Sequence, residues 1–381
     1  MLIGHLSDTH LGAMPYNLKE REDDFYEAFD EAIQTMVKDH VDAVIHAGDI
    51  FDIPKPGGTA LVKFLNGLKV LKENQIKFFF TMGEHDISRL PGIPSPFLFE
   101  EIDLATYVGD GKPHGFRDVT VVGFHKHRKT EIDDLRQRLK TVEFETVGVG
   151  GKKLLVLHQG MLEFHKYAGE LVSSDLPRGF YCYMMGHLHD HFQSTFDGLS
   201  GPVCYPGSTD ATSVEGIHEY KKGFYITDVS GEEARPDWIQ LKSIRGAFAP
   251  EFSYEKLAED ISAFARTLRE STKKAMVAIK VKGEEIDSAL VASTLKSLAN
   301  YVLYYVWQPV ETGVSGGKDF AERPSDIDEQ MLKIATAVTG SMEAGTFAVT
   351  ELLPLLAENR ADEAADLLWS AFKAGRFEKK P

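Results

Sequence analysis

Cysteine is almost missing. Cys182 and Cys204 are the only two in 381 residues, each inside an apolar run and without CxxC spacing. That excludes a disulfide framework and a thiolate zinc site, and leaves two buried free thiols as the expectation. Excess positive charge is missing too: 42 Lys and Arg stand against 58 Asp and Glu, for a formal charge of -16. Such a chain is not built to coat nucleic acid nonspecifically, although a local binding face stays open. No apolar run approaches membrane-span length, and Met1 leads directly into a strand-like segment. Neither a membrane contact nor a targeting segment is expected, and a cytoplasmic location is. No internal repeat is seen.

What is present is alternation. Up to residue 243, the apolar runs LIGHLS, DAVIHA, KFFFTM, VTVVGF, KLLVLH, FYCYMM and GFYITDV are separated by helical patterns. This predicts an α/β fold with helices packed on central sheets. Phe25, Phe29, Ile33, Met36 and Val37 recur at helical spacing between the first two runs. The composition changes near IRGAFAPEFS, and residues 244–310 read as a small second α/β domain. The Gly, Ser and Pro content that follows predicts a linker over 311–326, and 327–381 read as a tail of short amphipathic helices.

The strand-like runs share an ending. SDTHLG places Asp8 and His10 two residues apart, on one side of an extended chain. HAGDIFD delivers Asp49 after a glycine, TMGEHD delivers Glu84, His85 and Asp86, LHQG delivers His158, and GHLH delivers His187 and His189. Each alone is common at a polar turn, but five such endings in order are not, and ligands of layered α/β folds gather at strand carboxyl ends. Carboxylates mixed with imidazoles suit manganese, iron or zinc. The number of donors exceeds what one ion needs, so two ions about 4 Å apart sharing a carboxylate are expected. His5 and His46, inside strands, are expected in the core, and His191 at the surface. Lys112, Arg117, Lys126, Arg128 and Lys129 concentrate positive charge over 112–129, and Lys126, Arg128 and Lys129 are candidates for contact with a nucleic-acid backbone.

The order DxH, GD, G-x-H-D, H and GHxH resembles the calcineurin-like metallophosphoesterases. The fuller pattern HLSDTHLG, HAGDIFD, LHQG, GHLH and YPGS is similar to their meiotic recombination 11 branch, which includes the bacterial SbcD nucleases and compact archaeal members. The resemblance implies a four-layer α-β-β-α sandwich at 1–243, a DNA-capping domain at 244–310 and a tail gripping a coiled-coil ABC-type ATPase. By motif, Asp8, His10 and His189 would hold one metal, His158 and His187 the second, with Asp49 bridging and His85 over the scissile phosphate. Two divalent ions, manganese by preference, would serve a 3'-5' exonuclease and single-strand or hairpin endonuclease in double-strand-break repair. The same resemblance implies DNA as partner, a nucleoid-associated location and a homodimer, for which Leu61, Phe64, Leu65, Leu68, Phe97 and Phe99 are candidates. One departure stands out: Glu84 occupies the place of a neutral Asn that ligates the second metal. It is expected to ligate still, or to weaken catalysis and leave a DNA-end scaffold. A phosphomonoesterase or small-molecule phosphodiesterase on the same fold is the alternative.

Overall fold

In a computed structural model, residues 1–148, 150–166, 168–270, 272–311, 332, 335–336, 339, 341–357, 361–373 and 376 are described. Two compact units divide the chain, Met1–Thr312 and Gly313–Pro381.

The first unit holds two mixed sheets and a third, small parallel one, as an α/β chain should. In the first sheet, β1 (Leu2–Leu6), β2 (Ala43–Ala47), β3 (Lys77–Thr81) and β4 (Thr106–Tyr107) run parallel. Antiparallel β11 (Gly223–Asp228) and β12 (Arg235–Gln240) complete it beside β1. The second sheet has parallel β6 (Val119–Phe124), β7 (Lys152–His158), β8 (Cys182–Gly186) and β10 (Val203–Tyr205), edged by antiparallel β5 (His114–Phe116) and β9 (Phe192–Ser194).

Period-two alternation sorts the apolar side chains into layers. Ile3, Ala43, Ile45 and Phe79 of the first sheet meet Val121, Leu154, Val156, Cys182, Met184 and Cys204 of the second. Leu6, Val44, Phe78 and Phe80 point the other way, against Phe29, Ile33 and Met36 of α1 (Lys19–Lys38) and against α2 (Gly58–Glu73). On the far side, Val122, Leu155, Leu157 and Met185 pack against Leu135, Leu139 and Val142 of α4 (Ile132–Glu145). Strands buried on both faces explain why the runs read as unbroken apolar stretches. Phe64, Leu68 and Phe99 belong to the core cluster beneath α2 and α3 (Phe97–Glu101), so they are not available to a partner surface. Val62, Leu98 and Ile102 are the exposed apolar residues there.

Residues 244–310 carry the third sheet. Its β13 (Ala247–Phe248), β14 (Glu251–Ser253) and β16 (Val302–Glu311) all pair in parallel with β15 (Ala275–Gly283). The helices α5 (Leu257–Thr267) and α6 (Ser288–Leu295) cover it through Leu257, Ile261, Val291 and Leu295. Of the expected linker, 312–326 lie outside the described residues, as do much of 327–340. The second unit has α7 (Met342–Phe347), α8 (Leu353–Ala357) and α9 (Ala361–Lys373). A π turn at Ala348–Leu352 precedes Pro354, which has no N–H to give to a carbonyl one turn back. Among the described residues no helix is long and apolar enough to cross a membrane.

Candidate metal centre

The motif residues leave the carboxyl ends of β1, β2, β3, β7 and β8, where the two sheets face each other. Strained backbone marks the spot: Asp8 (φ 52°), His10 (φ 40°), Asp49 (φ 54°) and His187 (φ 92°) are all left-handed. Non-glycine residues hold such angles at a cost of roughly 1–3 kcal/mol each, so the surrounding packing must enforce them. Backbone bonds from Asp8 N to Gly48 O (3.0 Å) and His10 N to Asp49 O (3.1 Å) zip the first two loops together. Gly48 (φ 95°) must be glycine, because a Cβ there would sit 2.7 Å from the Gly83 nitrogen and against the His158 ring. A Cβ on Gly83 would collide with the Asp49 carboxylate.

Two groups of donors result. Asp8, His10 and His189 offer one ligand atom each within 4.8 Å of one another, and so do Glu84, His158 and His187. Asp49 joins the groups, within the same distance of Asp8 from the first and of His158 and Glu84 from the second, and of His85. The ring nitrogens of His10 and His189 converge to 3.2 Å. His158 Nδ1 is 2.6 Å from the Ala47 carbonyl and donates to it, which turns Nε2 inward. That buried Nε2 makes no hydrogen bond among the described residues. Neighbours instead crowd it with carboxylate oxygen: Glu84 Oε2 at 2.9 Å and Asp49 Oδ2 at 3.3 Å. A buried ring nitrogen held among carboxylate oxygens is an environment made for a cation, whether a proton or a metal, and the donor set fits divalent ions.

Electrostatics point the same way. Burial presses the Asp8 carboxyl above its usual range. Burial presses on Asp49 and Glu84 as well, but His158 and its neighbours win, holding Asp49 down at about 2 and Glu84 well below the carboxylate range. Burial drops His10 to about 3, leaving it neutral and able to ligate. His158 is driven up despite burial by Asp49 and Glu84, anions that would equally hold a divalent ion.

His85 stands at the edge of this cluster, edge-on to His10 with ring centroids 4.8 Å apart. Its backbone N–H donates to Asp49 Oδ1 (2.8 Å) and its Nδ1 to the Asp52 carbonyl (2.6 Å), so Nε2 is the free ring position. Asp86 is buried. It accepts from the N–H groups of Gly83, Ile50 and Phe51 at 3.0–3.2 Å, tying the loops after β2 and β3. His5 and His46 are buried, bonded to Met185 O and Thr9 Oγ1, and exposed His191 stacks on Trp238.

Residues 1–191 match the family model of the calcineurin-like phosphoesterases. The chain belongs to that family. It is 32% identical over 317 residues to the DNA double-strand break repair protein Mre11 of Sulfolobus acidocaldarius, covering 80% of this chain and 81% of that one. With the Mre11 protein of Sulfurisphaera tokodaii it shares 29% identity over 374 residues, 94% of this chain and 93% of that one. This phosphoesterase is therefore a homologue of archaeal Mre11. A solved dimetal phosphatase of Danio rerio is similar at 11% identity and TM-score 0.40, covering 62% of this chain and 98% of that one, which is too distant to carry an argument.

Residues that the motifs do not point to also adjoin the cluster of this phosphoesterase. Glu215 accepts from His189 Nδ1 (3.1 Å) and from Thr212 N (2.8 Å), and pairs with buried Lys222. Its only trace in the sequence is the T-x-x-E spacing of a capping box, which reads as a helix start. Asp52 Oδ1 lies 3.7 Å from His10 Nδ1. Lys126 is not at the surface with Arg128 and Lys129: its side chain is 9% exposed, bonded to Glu170 at 2.7 and 2.8 Å and donating to His187 Nε2 at 3.2 Å. Arg128 and Lys129 are exposed. Arg128 caps the turn Lys129–Glu131 that leads into α4, so the chain bends after His127 and carries Arg128 and Lys129 into solvent while Lys126 stays beside the metal cluster.

Proposed function

We propose that this Mre11 homologue is a two-metal DNA nuclease, a 3'-5' exonuclease and single-strand or hairpin endonuclease acting in double-strand-break repair. The observation that carries the reading is the pairing of the Asp8–His10–His189 and Glu84–His158–His187 groups on either side of Asp49, with His85 beside them. Two divalent cations, manganese by preference, would be held by these groups; when bound they supply the positive charge that polarises a phosphoryl oxygen and acidifies water.

The chain's own groups do the rest. Asp8 and Asp49 are fixed by backbone N–H donors, Asp8 by that of His187 at 3.1 Å and Asp49 by that of His85 at 2.8 Å, so they need no reorganisation when charge develops. His85, anchored through Nδ1, presents Nε2 to the departing oxygen and gives it a proton; Asp49 and Glu84 outweigh burial and hold the ring's affinity for that proton above the ordinary histidine value. Exposed Arg128 and Lys129 bind the DNA backbone. We read the helix-flanked sheets as the family's four-layer sandwich and the third sheet as the DNA cap. Exposed Val62, Leu98 and Ile102 support a homodimer, and exposed Leu368, Trp369 and Phe372 of α9 support docking of the coiled-coil ATPase.

The test is digestion of end-labelled duplex and hairpin DNA with Mn²⁺ or Mg²⁺, beside 4-nitrophenyl phosphate esters, with His85→Ala as control. Metal-dependent shortening of the labelled strand that His85→Ala abolishes is expected. Hydrolysis of the small esters with DNA left intact would overturn the reading.

A further inference from the structure

Outside the metal centre, the largest buried concentration of charge among the described residues lies on α1. Asp24, 2% exposed, accepts from Arg21 Nη1 (2.6 Å), Arg245 Nε and Nη2 (2.6 and 3.0 Å) and Lys273 Nζ (2.9 Å). Two of these cations come from the third-sheet region. Arg245 precedes β13 and also donates to the Lys274 carbonyl (2.6 Å), and Lys273 lies just before β15. On the other side Arg21 forks onto Asp210 (2.8 Å) and the Ala211 carbonyl (3.0 Å). The loop ending in Asp210 lies against the metal centre: Thr209 N bonds Asp8 O (3.4 Å) and Ser208 N bonds His189 O (3.1 Å). One continuous chain of bonds thus runs from the base of the third sheet, through Arg245, Asp24, Arg21 and Asp210, to the backbone of two candidate ligands. A small apolar contact of Ile217, Ala247 and Met276, with Tyr16 stacked on Tyr304 at 4.8 Å, is its neighbour.

Apolar contact resists separation but lets surfaces slide, whereas paired forks and carboxylate lone pairs fix angle and register. Taking several charges out of water stabilises little by itself, so apolar packing would serve as well if holding the parts together were all that mattered. We propose that Asp24 and Arg245 are positioning residues: their clasp sets the third sheet at one orientation to the metal centre, and a substrate long enough to touch both is aligned by it. The proposal rests on the DNA nuclease reading for the identity of that substrate. A phosphodiester too small to reach the third sheet gains nothing from the clasp.

The experiment compares the full-length protein with Arg245→Gln, which leaves the Arg21–Asp24 and Arg21–Asp210 pairs in place. Three quantities are read with Mn²⁺: hydrolysis of bis(4-nitrophenyl) phosphate, degradation of end-labelled duplex DNA, and the distance between spin labels on Gln34→Cys and Ala292→Cys. Arg245→Gln is expected to keep small-substrate hydrolysis within about twofold, to lose roughly 10- to 100-fold on duplex, the effect of misplacing a substrate by about an ångström, and to broaden the label distance. Arg245→Lys, which keeps the charge but not the fork, should recover part of the duplex rate. Parallel loss on both substrates would overturn the proposal, since the clasp would then only support the metal centre, and so would an unchanged duplex rate. Should the wild type cut no DNA, the nuclease reading fails and the label distance decides the clasp alone: broadening sustains it and an unchanged distance overturns it. If Arg245→Gln does not fold, Lys273→Met serves in its place with the same outcomes.

Discussion

Glu84 Oε2 lies 2.9 Å from Nε2 of His158, the ring nitrogen that the bond from Nδ1 to the Ala47 carbonyl turns inward. Its other oxygen is 2.9 Å from His187 Nδ1, so one carboxylate spans both imidazoles of the second donor group. A neutral side chain at this position would leave a bound pair of cations one unit more positive. Glu84→Asn is therefore expected to weaken binding of the second Mn²⁺ and to raise the rate per fully loaded site, since the site becomes a stronger electrophile. Calorimetric stoichiometry and nuclease rate at saturating Mn²⁺ read the two effects separately. Indifference in both would take Glu84 out of the site.

Glu215 acts through His189 and not on a metal directly. It fixes the ring by accepting from Nδ1, which leaves Nε2 to face His10. Glu215→Gln should cost roughly 10- to 100-fold in Mn²⁺ affinity at the first donor group, the usual effect of losing a carboxylate behind a ligating histidine. Electron paramagnetic resonance of free Mn²⁺ during titration measures it. An unaltered binding curve would mean that Thr212 and Lys222, not His189, are the reason Glu215 is buried.

How much of this was legible in the chain follows from the range of the forces involved. Asp8, His10, Asp49, His158, His187 and His189 could be found because each closes an apolar run, and strand ends in this class converge whatever the loops do. The α/β alternation was legible for the same reason. Glu215, Asp52 and Glu170 were not, because their partners lie far off in sequence: Glu215 to His189 spans 26 residues and Glu170 to Lys126 spans 44. The basic run over 112–129 hid a long-range pair, since Lys126 turns inward to Glu170 while Arg128 and Lys129, past the bend that Arg128 caps, stay in water. Phe64, Leu68 and Phe99 show the converse: apolar residues at helical spacing mark a buried face without saying whether a core or a partner buries it.

Arg128 and Lys129 are exposed where Lys126 is buried against Glu170, and salt separates the two situations. Removing one side chain that neutralises a phosphate should reduce the slope of log affinity against log salt by about 0.9 on duplex DNA. Arg128→Gln with Lys129→Gln is expected to flatten the slope by roughly twice that amount and leave Mn²⁺ binding as it was. Lys126→Met is expected to leave the slope alone and to disturb His187, visible as a changed affinity for the second Mn²⁺. Filter binding between low and moderate salt gives the slopes. A flattened slope for Lys126→Met would return that lysine to the DNA surface.

Asp24 gives the fold a dependence on acid whose sign can be worked out. Burial pushes its carboxyl up, but Arg245, Lys273 and Arg21 outweigh burial and hold it below the ordinary value of 3.8. A carboxyl that loses its proton more readily in the folded chain than in the unfolded one stabilises the fold wherever both are ionised. The contribution is thus complete above the unfolded value and disappears as pH falls through 3.8 toward the lower folded value. Asp24→Asn removes the charge at every pH and takes from Arg245 its buried counter-ion. At neutral pH it should cost about 3 to 5 kcal/mol, the range for breaking a buried ion pair from one side. The difference from wild type in urea unfolding should hold constant from neutrality down to about pH 5 and shrink below about pH 4, because wild type then loses the same charge by protonation. A difference that stays level down to pH 3 would mean that folding does not lower the Asp24 carboxyl, and one that grows as pH falls would mean that burial outweighs the three cations and raises it.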